Sequence, residues 1–151
     1  MVNDESPLDD PVLRTFGLLI EVSGRLQRSL GQGLEDRVSL PLGWLEVLLR
    51  LVRSEGEQLA MGVLANQIVL TTGGVTRLID RMESAGYVER RPCPTDRRVL
   101  YAGITEAGRQ KLSEAVGVHL EGLREAFQVL SETDLGTLHR LLDRLHVATE
   151  G

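Results

Sequence analysis

The stretch 71–104 constrains the fold more than any other part of the sequence, because its apolar pattern switches from helical to extended across a single glycine. Val75, Leu78, Ile79 and Met82 fall at i, i+3, i+4 and i+7, so one face of a helix is core by construction, and Thr71 ahead of them is suited to cap its N-terminus. Gly86 supplies a residue that closes a helix at its C-terminal end. Tyr87-Val-Glu-Arg-Arg91 then reads as a strand, Pro92-Cys-Pro-Thr-Asp-Arg97 as a stiff polar loop, and Val99 to Ile104 as the strand that pairs back.

The remaining segments read as helices, with one exception. Val12, Phe16, Leu19, Ile20, Leu26 and Leu30 recur at mostly helical spacing, which predicts a first helix over about 10–30 ending at the Gly31-Gln-Gly33 break. Pro41 opens a second helix on which Trp44, Leu45, Leu48, Leu49 and Val52 make an unusually apolar face, stopping near Ser54-Glu-Gly56. Gln58-Leu-Ala60 is expected as a very short strand, and Met61 to Val69 as a third, short helix with Val63, Leu64 and Ile68 on its inner side. Thr105 opens a long helix carried to Ser131 by Leu112, Val116, Leu120, Leu123, Phe127 and Leu130. Ser131-Glu-Thr-Asp134 restarts a last one, lined by Leu135, Leu138, Leu141, Leu142 and Leu145.

This order predicts a mainly α chain with a small β-hairpin wing (α+β): a single domain over 1–151 in which a winged helix-turn-helix occupies 35–104. Helices over 8–34 and 105–149 flank it. The flanking leucine stripes join no sheet and must be buried somewhere, and a two-fold homodimer is the expectation.

A net charge of −5 taken alone argues against nucleic acid as a partner, but the charge is unevenly spread. Residues 71–111 carry eight Arg and Lys against five Asp and Glu, while the rest of the chain carries nine against seventeen. One anion-facing surface is what such an asymmetry provides, although clustering on a solvated face would look the same. A single cysteine, Cys93, excludes an internal disulfide and a multi-cysteine metal cluster and fits a reducing compartment. The N-terminal residues are acidic where a secretory signal needs positive charge, and the richest apolar run, Leu45 to Val52, is broken by Glu46 and Arg50. A cytoplasmic protein with no membrane partner is therefore expected. Phosphate loop, zinc-protease helix and nucleophile elbow are all missing, and none of three histidines has tight His-x-x-x-His spacing. These features predict a non-enzyme with no cofactor and no metal.

The outward side of the 71–82 helix shows Gly73, Gly74, Thr76, Arg77, Asp80 and Arg81. Two glycines in a helical first turn cost about 1 kcal/mol each relative to alanine, so stability alone would not place them there. They let the helix N-terminus approach a phosphate closely. Thr71, Thr72 and Thr76 can hydrogen-bond phosphates or bases, and Arg77 and Arg81, one turn apart, can reach a major groove. On the hairpin, Arg91 on the outgoing strand and Asp96-Arg97-Arg98 near the tip extend the same candidate surface to double-stranded DNA. An arginine at that tip can enter a narrow minor groove, with Asp96 orienting its neighbour through a hydrogen-bonded ion pair. A capped, solvated helix beside an ordinary polar hairpin, or a winged helix used for protein interaction, would share the core residues but would not need these glycines and arginines.

Leu64-Ala65, Thr72-Gly-Gly-Val-Thr-Arg-Leu-Ile-Asp-Arg-Met-Glu83, Gly86-Tyr-Val-Glu-Arg90, Asp96-Arg-Arg98 and Ile104-Thr-Glu-Ala-Gly108 together resemble, in order and spacing, the signature of the MarR family of transcriptional regulators. The resemblance implies an obligate homodimer built from the terminal helices, a recognition helix at 72–85, and a wing whose Arg98 enters the minor groove of a pseudo-palindromic operator. It also implies repression, less often activation, relieved by a small organic effector. Gly73-Gly74 departs from the commoner Ser-Gly or Pro-Gly start, and Tyr87 stands where leucine is more usual, which leaves the operator sequence open. Cys93, between two prolines in the wing, leaves redox control as an alternative to an effector.

Overall fold

The computed structural model describes residues 6–68 and 72–149. Asp10 opens α1, Pro11–Val38, by accepting the Val12 N–H at 2.7 Å, and Pro11 sits where a missing N–H loses nothing. The helix runs through Gly31 and Gly33, where the sequence predicted a stop, and ends at Ser39 in the left-handed conformation, φ 51°. Two helical glycines are unfavourable by about 1 kcal/mol each. Beyond them Leu34 and Leu40 are fully buried, and burying a leucine is favourable by about 1.5–3 kcal/mol apiece, so packing overrides propensity.

Helix α2, Leu42–Val52, buries Leu45, Val47, Leu48 and Leu51. Gly56 and Glu57, both at positive φ, turn the chain into β1, Gln58–Ala60. Helix α3, Met61–Gln67, buries Leu64 and Ala65, and Ile68 packs at its edge, whereas Val63, expected on this face, is exposed. Val69 and the proposed cap Thr71 lie outside the described residues.

Helix α4, Thr72–Ser84, sets Val75, Ile79 and Met82 in the core. Gly86, at φ 82°, ends it in a Schellman arrangement: the Tyr87 N–H donates to the Met82 carbonyl at 3.0 Å and the Gly86 N–H to the Glu83 carbonyl at 2.9 Å. Strands β2, Val88–Pro92, and β3, Leu100–Ile104, form the hairpin, and β1 joins the other edge of β3 to give an antiparallel sheet ordered β1-β3-β2. Val88 pairs with Ile104 and Pro92 with Leu100; Gln58 pairs with Gly103 and Ala60 with Tyr101.

Thr105 caps α5, Glu106–Phe127, accepting the Gly108 N–H at 3.0 Å, and its hydroxyl donates to the Gly86 carbonyl at 2.6 Å. Position 108 has to be glycine, because a Cβ there would overlap the Tyr87 carbonyl oxygen. The helix ends at Phe127, short of the expected Ser131, and a turn with Leu130 N–H on the Phe127 carbonyl leads out of it. Ser131 and Asp134 then cap α6, Glu132–Thr149, reciprocally: the Ser131 hydroxyl accepts the Asp134 N–H at 3.1 Å and the Asp134 carboxylate accepts the Ser131 N–H at 3.2 Å.

Buried residues come from the last turns of α1, from α2, α3, α4 and the sheet, and from the first half of α5. Helix α6 buries none, and α1 buries only Leu34. Val12, Phe16 and Leu145 are each more than half exposed. Among the described residues, no helix is long and apolar enough to cross a membrane.

Candidate nucleic-acid interface

On α4 the core face fixes the opposite one: with Val75, Ile79 and Met82 inward, Gly73, Thr76, Arg77, Asp80 and Arg81 are exposed and Gly74 half-exposed. A Cβ on Gly73 would meet nothing within 4 Å, so no contact inside the protein requires a glycine there. Thr72 begins the helix, but its side chain, like all of Thr71, lies outside what is described. Arg81 does not project freely. Its guanidinium carbon lies 5.8 Å from the Trp44 ring centroid, and Trp44 meets Tyr87 edge-to-face at 6.1 Å.

The wing tip is closed by the Cys93 N–H on the Val99 carbonyl and the Val99 N–H on the Asp96 carbonyl, each 3.1 Å. The neighbouring arginine that Asp96 holds is Arg98. Asp96 accepts the Arg98 backbone N–H at 2.9 Å and receives the guanidinium as a fork, Nε to Oδ1 and Nη2 to Oδ2, both 3.1 Å. The ion pair holds the Asp96 carboxyl below its ordinary range and raises the Arg98 guanidinium. Even so, the Arg98 side chain is 90% exposed, and Arg97 beside it is exposed too. The Cys93 thiol, 3.3 Å from the Thr95 hydroxyl, is pushed down by hydrogen bonds from Thr95 and the Asp96 backbone, and it pushes the neighbouring Tyr101 up. Among the described residues, no cluster of three His, Cys, Asp or Glu side chains could hold a metal ion.

Two arginines on β2 behave differently from the tip pair. Arg91, expected on the outward surface, lies across the sheet: it donates to the Glu89 carboxylate at 2.9 Å, the Ile104 carbonyl at 3.1 Å, and Gln58 at 3.4 Å. Gly103 makes room for it, since a Cβ there would overlap the guanidinium. Its donors are therefore taken up across the outer face of the sheet, where the side chain stays 32% exposed, apart from the freer arginines of the tip. Arg90, to which no role was assigned from sequence, ties β2 to α4. Its Nη2 is 2.5 Å from Asp80 Oδ1, its Nη1 pairs with Glu83, and its backbone N–H donates to Glu83 at 3.0 Å. The signal was present in the alternation of β2, which puts Arg90 on the same side as buried Val88, and in two acids three apart on the preceding helix. Arg109 braces the other edge, pairing with Glu106 at 3.1 Å and with Glu57, whose carboxyl it lowers.

A three-stranded sheet whose hairpin stands beside a helix with an open polar face defines the winged helix-turn-helix class of protein. Within that class the chain belongs to the MarR family, whose model matches residues 38–99. The HTH-type transcriptional regulator MhqR of Bacillus subtilis (strain 168) is 32% identical over 98 residues, 65% of this chain and 67% of that protein. The crystal structure of AbsC, a MarR family transcriptional regulator from Streptomyces coelicolor, superposes with a TM-score of 0.81 at 28% identity, over 92% of this chain and 95% of that one. Sco3205, a MarR family regulator from the same organism solved in complex with DNA, shares the fold at 24% identity with a TM-score of 0.82, covering 91% and 90% of the two chains.

Proposed function

We propose that this MarR-type transcriptional regulator binds a pseudo-palindromic double-stranded operator as a homodimer, and that it works by binding rather than by catalysis. Helix α4 enters the major groove through Thr72, Gly73, Gly74, Thr76 and Arg77, with Thr71 ahead of it in the sequence contributing to the same surface, and Arg98 of the wing enters the minor groove with Arg97 beside it. The observation that carries the reading is the state of Arg98, which is aimed by Asp96 through two guanidinium hydrogen bonds and yet is 90% exposed with no packing role. An arginine held in that way loses little conformational freedom when it enters a groove of negative potential. Arg81, seated on Trp44, contributes from a fixed direction, and Arg91 contributes by bracing the sheet.

Residues 35–104 serve as the DNA-binding module and the helices over 8–34 and 105–149 as the dimerisation elements of one domain over 1–151. A groove of about 480 Å³ between α1, α5 and α6, lined by Leu19, Leu26, Phe127, Leu130, Leu138 and Leu142, supports this division, because such surface is seldom left to water. Two-fold symmetry then spaces two half-sites about one DNA turn, roughly 34–36 Å, apart. Repression by occupying the promoter, relieved by a small organic effector, is the regulatory mode that goes with the family.

The test is binding to the DNA upstream of the protein's own gene at fixed salt, with and without candidate effectors. Nanomolar binding lost with rising salt is expected, and no binding even at low salt would favour a protein-interaction module. Control through Cys93 has behind it a half-exposed thiol 3.3 Å from the Thr95 hydroxyl and lowered by it; mild peroxide is expected to leave operator binding unchanged in the parent and in Cys93→Ser alike, and loss of binding in the parent alone would show control through the thiol.

A further inference from the structure

We propose that Arg90 is a positioning residue that locks the wing to α4, so that helix and wing meet DNA as one rigid body; the inference rests on the DNA-binding reading above. Between the end of α4 and the start of β2 the chain passes through Ala85, Gly86 and Tyr87, with Gly86 at φ 82°. Glycine is the residue most easily rotated about its backbone, so this turn alone is a poor guarantee of angle. Arg90, three residues into β2, spans the angle. It reaches the Thr76 carbonyl at 3.5 Å, Asp80 at 2.5 Å, and Glu83 through both its side chain and its own N–H, which places its contacts on successive turns of one side of α4. Its side chain is only 22% exposed, whereas that of Arg98 at the tip is 90% exposed. By the hairpin register Arg98 sits level with a point about four residues beyond Arg90, roughly 13 Å at ~3.3 Å per residue, so a swing of about 5° at the base displaces it by roughly 1.1 Å. That displacement is enough to break a groove hydrogen bond, whose donor and acceptor must sit about 2.7–3.2 Å apart.

The test is a double-mutant cycle in operator binding. In the otherwise unaltered protein, Arg98→Ala is expected to weaken binding by about 5- to 150-fold, the usual range for a base-edge arginine. In an Arg90→Met background the same change is expected to matter less than about twofold, because a wing already out of place has no contact left to lose. Arg90→Lys keeps the charge without the fork and should fall between, and it carries the cycle if Arg90→Met does not fold. A variant with Asp80→Asn, Glu83→Gln and Arg90→Met together removes the local charge imbalance and should behave like Arg90→Met. An equal cost of Arg98→Ala in both backgrounds would reduce Arg90 to a structural ion pair. Restoration of the Arg98 effect in the triple variant would reduce it to a local charge balance, and either result overturns the proposal. If Arg98→Ala costs nothing in the unaltered protein, the wing reading itself fails and takes this inference with it.

Discussion

The central module and the terminal helices are built from similar apolar residues and end in opposite states. Leu45, Leu48, Leu51 and Leu64 are fully buried, while Leu8, Val12, Phe16 and Leu145 are each more than half exposed. The module closes its core because a short sheet, three helices and the start of α5 surround a common centre. The terminal helices reach that centre only through the end of α1 and the start of α5, and beyond it α1, the rest of α5 and α6 are too few to surround a centre of their own. Leucine content therefore says that a segment must be covered, and only topology says whether the chain can cover it by itself.

The sharpest way to break this contrast is Phe16→Asp with Leu145→Asp. Sedimentation should show monomers, and operator binding should fall by about 10²- to 10⁴-fold as the second half-site no longer assists the first. A dimer of unchanged strength would show that the exposed stripes are covered by something other than a second copy. Ile79→Ala, on the module side, should lower unfolding free energy by about 2–5 kcal/mol in urea titration, a cavity cost larger than truncation of a half-exposed side chain on the terminal stripes would produce. Arg98→Ala should leave the urea midpoint where it was while weakening DNA by the factor given above, which separates surface chemistry from core chemistry within the module. Gly73→Ala should raise stability by up to about 1 kcal/mol, since the added Cβ meets nothing, and weaken operator binding; a rise in both would remove the close-approach role of that glycine.

The smallest expected effect is acid sensitivity. The Glu57 carboxyl is lowered by Arg109, so its folded state binds a proton less readily than the unfolded chain does. Stability from this pair is present at pH 7, starts to fall as pH drops into the ordinary carboxylate range, and is gone once the lowered carboxyl is protonated. Thermal melts from pH 7 to pH 3 should show Glu57→Gln less stable than the parent at neutral pH and converging with it in acid.

Much of the fold was legible because caps and periods are local. Thr105 and the Ser131–Asp134 pair make the hydrogen bonds their types suggest, Gly86 takes the positive φ that ends α4, and both strands of the hairpin form close to where the pattern placed them. What was not legible depends on partners distant in the chain. The Gly31–Gly33 segment stays helical because Leu34 and Leu40 find a core assembled from later segments, and α3 turns Ala65 inward rather than Val63 because α4 lies close. At the candidate interface, an ion pair between Asp96 and a neighbouring arginine was readable from their charges, and the partner is Arg98. The fold of Arg91 across the sheet was only half readable: Glu89 lies two residues away on the same strand, but Gln58 and Ile104 lie on the other two strands.

The stitch at Thr105 has a mechanical consequence. Its hydroxyl holds the Gly86 carbonyl, its N–H holds the Tyr87 carbonyl at 3.1 Å, and Gly108 presses against that same peptide. Helix α5 thus starts close to where α4 stops, and its 22 residues form a strut of about 33 Å whose other end lines the groove with α1 and α6. Tilting that strut must tilt α4 with it, much as the angle of a compass leg sets the gap between its points.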